Sequence, residues 1–262
     1  MVDEAAAILD EVSLPFVEGH RADPSVRKHG NDFATEMDYA IERQVSEALK
    51  SLTGIGVHGE EYHEADITAP LVWVLDPIDG TFNYAAGSPM AAILLALLRD
   101  GDPVAGLTWL PFTGDRYTAI AGGPVSHNGV DLAPLQPTDL ASCAVGVGTF
   151  NIDSRGRLPG RYRAAIFEQL TRRCSKVRMH GSAGIDMAFV AAGILGGAIS
   201  FGGQVWDHAA GTALVRAAGG VVTDITGAPW TPAARSAVAA APGVHEELME
   251  LIAAAGSPED YR

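Results

Sequence analysis

The chain has 262 residues, 47% of them apolar, and a formal net charge of −14. That length admits one large domain or two closely packed halves with a sizeable core, and the apolar content excludes an intrinsically disordered chain. The acidic balance argues against nucleic acid and anionic membranes as partners, although bound divalent cations would invert the local field for an anionic substrate.

Residues 3–17 and 36–50 carry helical spacing; in the second, Met37, Ile41, Val45 and Leu49 share one face. Residues 1–12 lack the basic flank and apolar core of a signal peptide. A short strand at 55–57 ends in Gly59-Glu60-Glu61, and an apolar strand follows at 71–75, then a turn and a Gly/Ser/Pro loop at 85–89. Residues 90–98 and 103–109 read as paired strands turning at Asp100-Gly101-Asp102, with further strand pattern at 117–121 and a turn at Asn128-Gly129. The 90–98 run is far too short to cross a membrane.

Composition changes near 131–140, which divides the chain into an N-terminal half (1–135) and a C-terminal half (136–262). Beyond it the pattern predicts a strand at 144–147, helices at 162–173 and 185–193, and a strand at 198–201. A helix at 208–218 capped by Gly219-Gly220, strands at 221–224 and 237–240, and a helix at 243–255 complete the chain. Cys143 and Cys174 fit no C-x-x-C spacing, so neither a disulfide framework nor a zinc ribbon is predicted. The expectation is a soluble, cytoplasmic protein of mixed α and β layers.

Four acidic sites stand apart from ordinary surface acids. The most informative is Asp76-Pro77-Ile78-Asp79-Gly80-Thr81, where a buried-type strand delivers two carboxylates at its tip. Ionised carboxylates are rarely buried without a partner or a metal, so the pair predicts a hard-cation site. Pro77 donates no hydrogen bond, which leaves the Ile78 carbonyl able to turn toward a cation, and the amides of Gly80 and Thr81 suit phosphate oxygens. The other sites read two ways. Asp38 is either a first-turn helix acid or a ligand, and Glu60-Glu61, flanked by His58 and His63, is either a solvated loop or a ligand pair. Asp207, in Trp206-Asp207-His208-Ala209-Ala210-Gly211, suits a helix N-cap, which does not exclude metal binding, while His208 reads as a helix-start histidine. Walker A, G-x-S-x-G and H-E-x-x-H patterns are lacking, and Gly146-Val147-Gly148 lacks the rest of a dinucleotide fingerprint.

Together these motifs resemble the inositol monophosphatase family. Asp76-Pro77-Ile78-Asp79-Gly80-Thr81 with Asn83 is similar to its first signature, and Trp206 to Gly211, running to Ala218-Gly219-Gly220, to its second. Gly59-Glu60-Glu61 and Asn31-Asp32-Phe33-Ala34-Thr35-Glu36-Met37-Asp38 match its remaining acidic elements in order. The resemblance implies a layered αβαβα sandwich of the inositol monophosphatase and fructose bisphosphatase type. It further implies a lithium-sensitive phosphomonoesterase with two or three Mg²⁺ ions per active site, working as a homodimer. By motif, Glu60, Asp76 and the Ile78 carbonyl hold one ion, and Asp76, Asp79 and Asp207 a second. Asp38 helps a weaker third, and Lys28 resembles a family lysine near the metals. Thr81, polarised by Asp38, and Glu60 then orient the attacking water, with Gly80 and Thr81 on the phosphate.

The substrate end departs from the family. Many members carry a glutamate several residues before the Trp-Asp pair, touching inositol hydroxyls; here Ser200 takes its place, beside Asp79 and Asp207 as expected substrate contacts. Gly181 to Asp186 resembles the helix-start segment on the substrate side, and Asp186 suits either a polar substrate contact or a core hydrogen bond. The expected substrate is inositol 1-phosphate or a similar small polyol phosphate monoester. Histidinol phosphate and fructose 1,6-bisphosphate are rivals, 3′-phosphoadenosine phosphates weaker ones, and a regulatory binding protein with incidental activity stands as the reading from another class.

Overall fold

The computed structural model describes residues 1–21, 26–27 and 33–262. The first helical pattern forms two helices, α1 (Val2–Glu11) and α2 (Ser13–Glu18), instead of one over 3–17. Pro15 is the cause: it has no N–H to give the Glu11 carbonyl, and its ring would crowd that oxygen. A two-residue ladder of β1 (Val26–Arg27) and β2 (Phe33–Ala34) leads into α3 (Glu36–Thr53), which Gly54 terminates in the left-handed region.

A seven-stranded sheet follows, in spatial order β3 (Val57–Gly59), β4 (Leu71–Asp79), β5 (Ala92–Arg99), β6 (Asp102–Leu110), β7 (Asp115–Ile120), β8 (Val125–His127) and β9 (Val130–Asp131). The short helix α4 (Thr81–Ala86) joins β4 to β5, where the sequence reading had only a turn. Residues 132–139 carry no regular structure and lead to the second sheet. That sheet comprises β10 (Ala144–Val147), β11 (Lys176–Arg178), β12 (Gly197–Ser200), β13 (Val221–Thr223) and β14 (Ala237–Ala240), in the order β11-β10-β12-β14-β13. Its helices are α5 (Gly160–Arg173), α6 (Ala183–Ala191), α7 (Val205–Ala217) and α8 (Val244–Ala254). Strand β11 was not anticipated; its Lys176 and Arg178 are exposed, so it carries no buried alternation to read.

Strand periodicity explains the layers, because alternate residues enter different cores. Trp73, Leu75, Ile93, Leu95 and Leu97 pack with Leu9, Phe16, Ile41 and Val45 of the outer helices. Val72, Val74, Leu94 and Ala96 face the other way, onto Ile185 and Met187 of α6 and Ala210 and Leu214 of α7. Ala198 and Ala239 close that same core from the second sheet, whereas Val145, Ile199 and Val238 face Ile166 of α5 and Leu248 of α8. The order is therefore helix, sheet, helix, sheet, helix: the expected αβαβα sandwich. A helix clamped between two sheets is buried around most of its circumference, which explains why α6 and α7 are rich in Ala and Gly and only weakly amphipathic. Among the described residues, no helix is long and apolar enough to cross a membrane, and Cys143 and Cys174 are free thiols.

Candidate active site

Strand β4 does not stop at Leu75 but runs on through the acids, and a bulge makes that useful. Asp76 pairs with Leu94 and Asp79 with Ala92, so Pro77 and Ile78 together oppose the single residue Ile93. In a regular strand, residues three apart point to opposite faces. The extra residue cancels this, and both acids lie opposite residues that face the central helices. Pro77 is tolerated inside the ladder because it sits in the bulge, where no pairing hydrogen bond is required. At the end of the strand Gly80 adopts φ +85, and a Cβ there would stand 2.8 Å from the Met90 carbonyl. Glycine is needed to turn the chain into α4 at this point.

Other elements bring further acids to the strand tip. Asp38, in the first turn of α3, is fully buried and accepts from Thr35 N at 2.7 Å and Thr35 Oγ1 at 2.6 Å. Its other oxygen takes the Thr81 hydroxyl at 3.4 Å, and that hydroxyl also lies 3.0 Å from the Ile78 carbonyl. Glu60 follows β3, which runs parallel beside β4, and its amide donates to Leu75 O at 3.1 Å. Asp79 Oδ2 accepts from Gly184 N at 2.7 Å and from Ser182 Oγ at 2.5 Å, tying β4 to the start of α6. Asp207 lies in the first turn of α7. The helix begins at Val205, three residues earlier than the sequence suggested, so Gln204 is the N-cap and Asp207 is not.

These carboxylates sense one another. Burial raises Asp76 well above the usual carboxylate range, and the charges of Glu60, Asp79, Asp207 and Asp38 raise it further. Asp79 is pushed up to about 6 by burial, against the pull of its Ser182 and Gly184 hydrogen bonds. Asp38 reaches about 6 for the same first reason, with Glu60 and Glu61 adding and Thr35 opposing. Like charges held this close in a low-dielectric pocket call for a cation. Among the described residues, no three acid, imidazole or thiol groups are already drawn into a closed coordination shell. The donor set is nonetheless all oxygen, which fits a hard divalent ion that keeps part of its water.

Glu42 is not among the candidate residues read from the sequence. It is 1% exposed and accepts from Glu61 N and Tyr62 N, each at 2.8 Å. Burial pushes it to about 7, against those two hydrogen bonds. The missed signal was its spacing: four residues after Asp38, it lies one turn along the same helix face. Any Cβ at Gly59 would collide with the Glu42 carboxylate, so the glycine before the acid pair is part of the same arrangement. His58 and His63 are stacked on each other at 5.2 Å, and both rings pack at a tilt against Trp206, His63 at 5.0 Å. They brace the Glu60 loop against the start of α7.

Beside the acids opens a cavity of about 370 Å³ whose lining includes Asp79, Ser182, Asp186, Ser200, Phe201 and Asp207. Asp186 is buried and hydrogen bonded to His180 Nδ1 at 2.5 Å. Ser200 lies 2.8 Å from Nε2 of His208, a fully buried ring that burial lowers to about 4 and thus keeps neutral. His208 sits in the first turn of α7, as a helix-start histidine should, and is a buried partner of Ser200. Lys28, Asn31 and Asp32 lie outside the described residues.

A model of the inositol monophosphatase family matches residues 2–258. The chain is 67% identical over 261 residues to "Inositol-1-monophosphatase ImpA" of Mycolicibacterium smegmatis, covering 100% of this chain and 95% of that one. It is 65% identical to "Probable inositol 1-monophosphatase ImpA" of Mycobacterium tuberculosis, covering 100% of this chain and 97% of that one. Among solved structures, the IMPase of Thermotoga maritima superposes with a TM-score of 0.89 over 100% of this chain and 99% of its own, at 24% identity, a likeness of fold. Sequence match, relatives and layered architecture agree: the chain belongs to the inositol monophosphatase family.

Proposed function

We propose that this chain is a magnesium-dependent phosphomonoesterase that hydrolyses inositol 1-phosphate or a similar small polyol phosphate. The observation that carries this is that Glu60, Asp79, Asp207 and Asp38 all bring their charge to bear on buried Asp76, while Asp79 and Asp207 also line a cavity of about 370 Å³. The names of its 67% and 65% identical relatives support the choice of substrate. Glu60, Asp76, the Ile78 carbonyl, Asp79 and Asp207 would hold magnesium, with Asp38 aiding a weaker third ion, and the metal would supply an acidified water and offset the phosphoryl charge.

The residues do the positioning. With the Ile78 carbonyl turned to a cation, the Thr81 hydroxyl would donate its hydrogen bond to Asp38, presenting its oxygen as an acceptor toward the attacking water while Glu60 fixes that water from the other side. The first amides of a helix have no partner within it, and those of Gly80 and Thr81 take the phosphate oxygens. Attack runs in line, without a covalent phosphoenzyme. At the sugar end, Ser200 stands where family members carry an acid, and its hydroxyl is committed to His208, so selectivity there is weaker or redirected. The family resemblance also supports a homodimer in the cytoplasm.

Histidinol phosphate and fructose 1,6-bisphosphate remain the rival substrates. The test is phosphate release with magnesium from inositol 1-phosphate, histidinol phosphate, fructose 1,6-bisphosphate and 3′-phosphoadenosine 5′-phosphate. Fastest turnover of inositol 1-phosphate is expected; no release from any of them would leave a binding protein.

A further inference from the structure

A second hollow of about 380 Å³ adjoins the cavity, and the two share Arg163 and Phe201 as a wall. Arg157 and Arg235 complete its charged lining. In a chain of net charge −14, three guanidinium groups around one hollow are an unusual concentration. None of the three forms an ion pair with a carboxylate among the described residues, whereas Arg116, Arg172, Arg173, Arg216 and Arg262 all do.

Two of the three are held ready. Arg163 lies over the Phe201 ring at 5.4 Å, and its Nε donates to Leu158 O at 2.8 Å. Arg235 donates one nitrogen to Gly203 O at 3.2 Å. Each keeps N–H groups without a partner among the described residues, and Arg157 keeps its whole fork. Carbonyls and a ring thus orient the forks without neutralising them. Guanidinium forks arranged this way match a phosphate group.

We propose that this hollow is a second anion subsite, and that it admits polyol phosphates carrying another phosphate remote from the one hydrolysed. The inference rests on the phosphatase reading of the adjoining cavity and deepens it. A ligand spanning both places its reacting phosphate by Asp79 and Asp207 and its second phosphate among the arginines. The subsite also counters the field of the acid cluster, which repels any anion approaching before cations bind.

The decisive experiment is calorimetry on the full chain freed of metal by chelation, so that the acid cluster contributes no attraction. Probes are inositol 1,4-bisphosphate, inositol 1-phosphate and inorganic phosphate, against wild type and the R157Q/R235Q double variant, whose altered side chains are exposed. The bisphosphate is expected to bind wild type more tightly than the monophosphate, and the variant to lose at least about tenfold of that affinity. Equal affinity in the two proteins, or no preference for the bisphosphate, overturns the proposal. Inorganic phosphate that binds wild type as well as the bisphosphate, and is lost in the variant, overturns the tethered substrate in favour of a free anion. With magnesium restored, kcat/KM for the bisphosphate should fall at least about tenfold in the variant and that for inositol 1-phosphate stay within about twofold. Failure of the phosphatase reading would show as no phosphate release from either compound, and the calorimetry would still decide the subsite.

Discussion

The Glu42 carboxylate holds the backbone of Glu61: Oε2 accepts the Glu61 amide at 2.8 Å, and Oε1 accepts that of Tyr62 at the same distance. The loop that carries Glu60 is thereby fastened to α3, the helix that carries Asp38. A glutamine can accept only one of these amides and turns its own NH₂ toward the other. Glu42→Gln should cost about 1–3 kcal/mol of loop stability and raise the magnesium concentration for half-maximal phosphate release by about tenfold. Titration of activity with magnesium reads this, and an unchanged requirement would mean that Glu60 is positioned independently of Glu42.

The acid cluster also sets how stability depends on pH. Asp38 and Asp79 are raised to about 6 and Glu42 to about 7, so each binds its proton more tightly in the folded chain than in the unfolded one. The stability they contribute is therefore fully present below the unfolded values near 4 and is lost as pH rises through 6 to 7. Magnesium binds the ionised forms and offsets this loss. Thermal unfolding in chelator should give a lower Tm at about pH 7.5 than at about pH 5, with the increment from added magnesium larger at the higher pH. An increment independent of pH would contradict the cluster as the binding site.

Much of this arrangement is legible in the sequence. The apolar run into Asp76 and Asp79 announces a buried acid pair, and the unbroken apolar runs of β4 and β5 announce a sheet covered on both faces. Less accessible is whatever depends on partners distant in the chain. That Asp76 and Asp79 share a face follows from a bulge whose register is set by β5. The role of Glu42 follows from two amides 19 and 20 residues away, and the arginine hollow from three residues spread over one helix and two loops. Local punctuation misled in both directions: Gly80 reads as a turn but opens α4, while Pro15 splits a helix that its apolar spacing would join.

Asp79 is placed by Ser182 and Gly184 as well as by its strand, so two substitutions separate its charge from its position. Asp79→Asn keeps the shape and removes the charge; phosphate release should fall by about a hundredfold or more while the chain stays folded by circular dichroism. Ser182→Ala removes one donor to Oδ2 and should lower activity less, by about tenfold, with a raised magnesium requirement. Full activity in Asp79→Asn would contradict its assignment as a ligand.

Lithium tests the same site without mutation. A small monovalent cation among these oxygens binds in place of magnesium without supplying its charge, so millimolar lithium should inhibit phosphate release, and added magnesium should relieve the inhibition when lithium is bound at a shared site. Insensitivity would mean that the second cation position differs from the family pattern.

The substrate end gives the last prediction. Ser200 lies beside His208, whose ring is held neutral by burial at about 4 and has no partner at Nδ1 among the described residues. A glutamate in place of Ser200 restores the carboxylate that family members use against inositol hydroxyls, and it also sets an anion next to this imidazole. The anion should raise the histidine's affinity for a proton and draw the pair together. Ser200→Glu should therefore shift the ranking of kcat/KM toward inositol 1-phosphate over other monoesters, most strongly above neutral pH, where the imidazole is deprotonated and leaves the carboxylate free for substrate. Ser200→Glu with His208→Gln removes that competition and should widen the shift at all pH values. If both variants rank the substrates as the wild type does, selectivity is set elsewhere in the cavity, whose lining also includes Asp186.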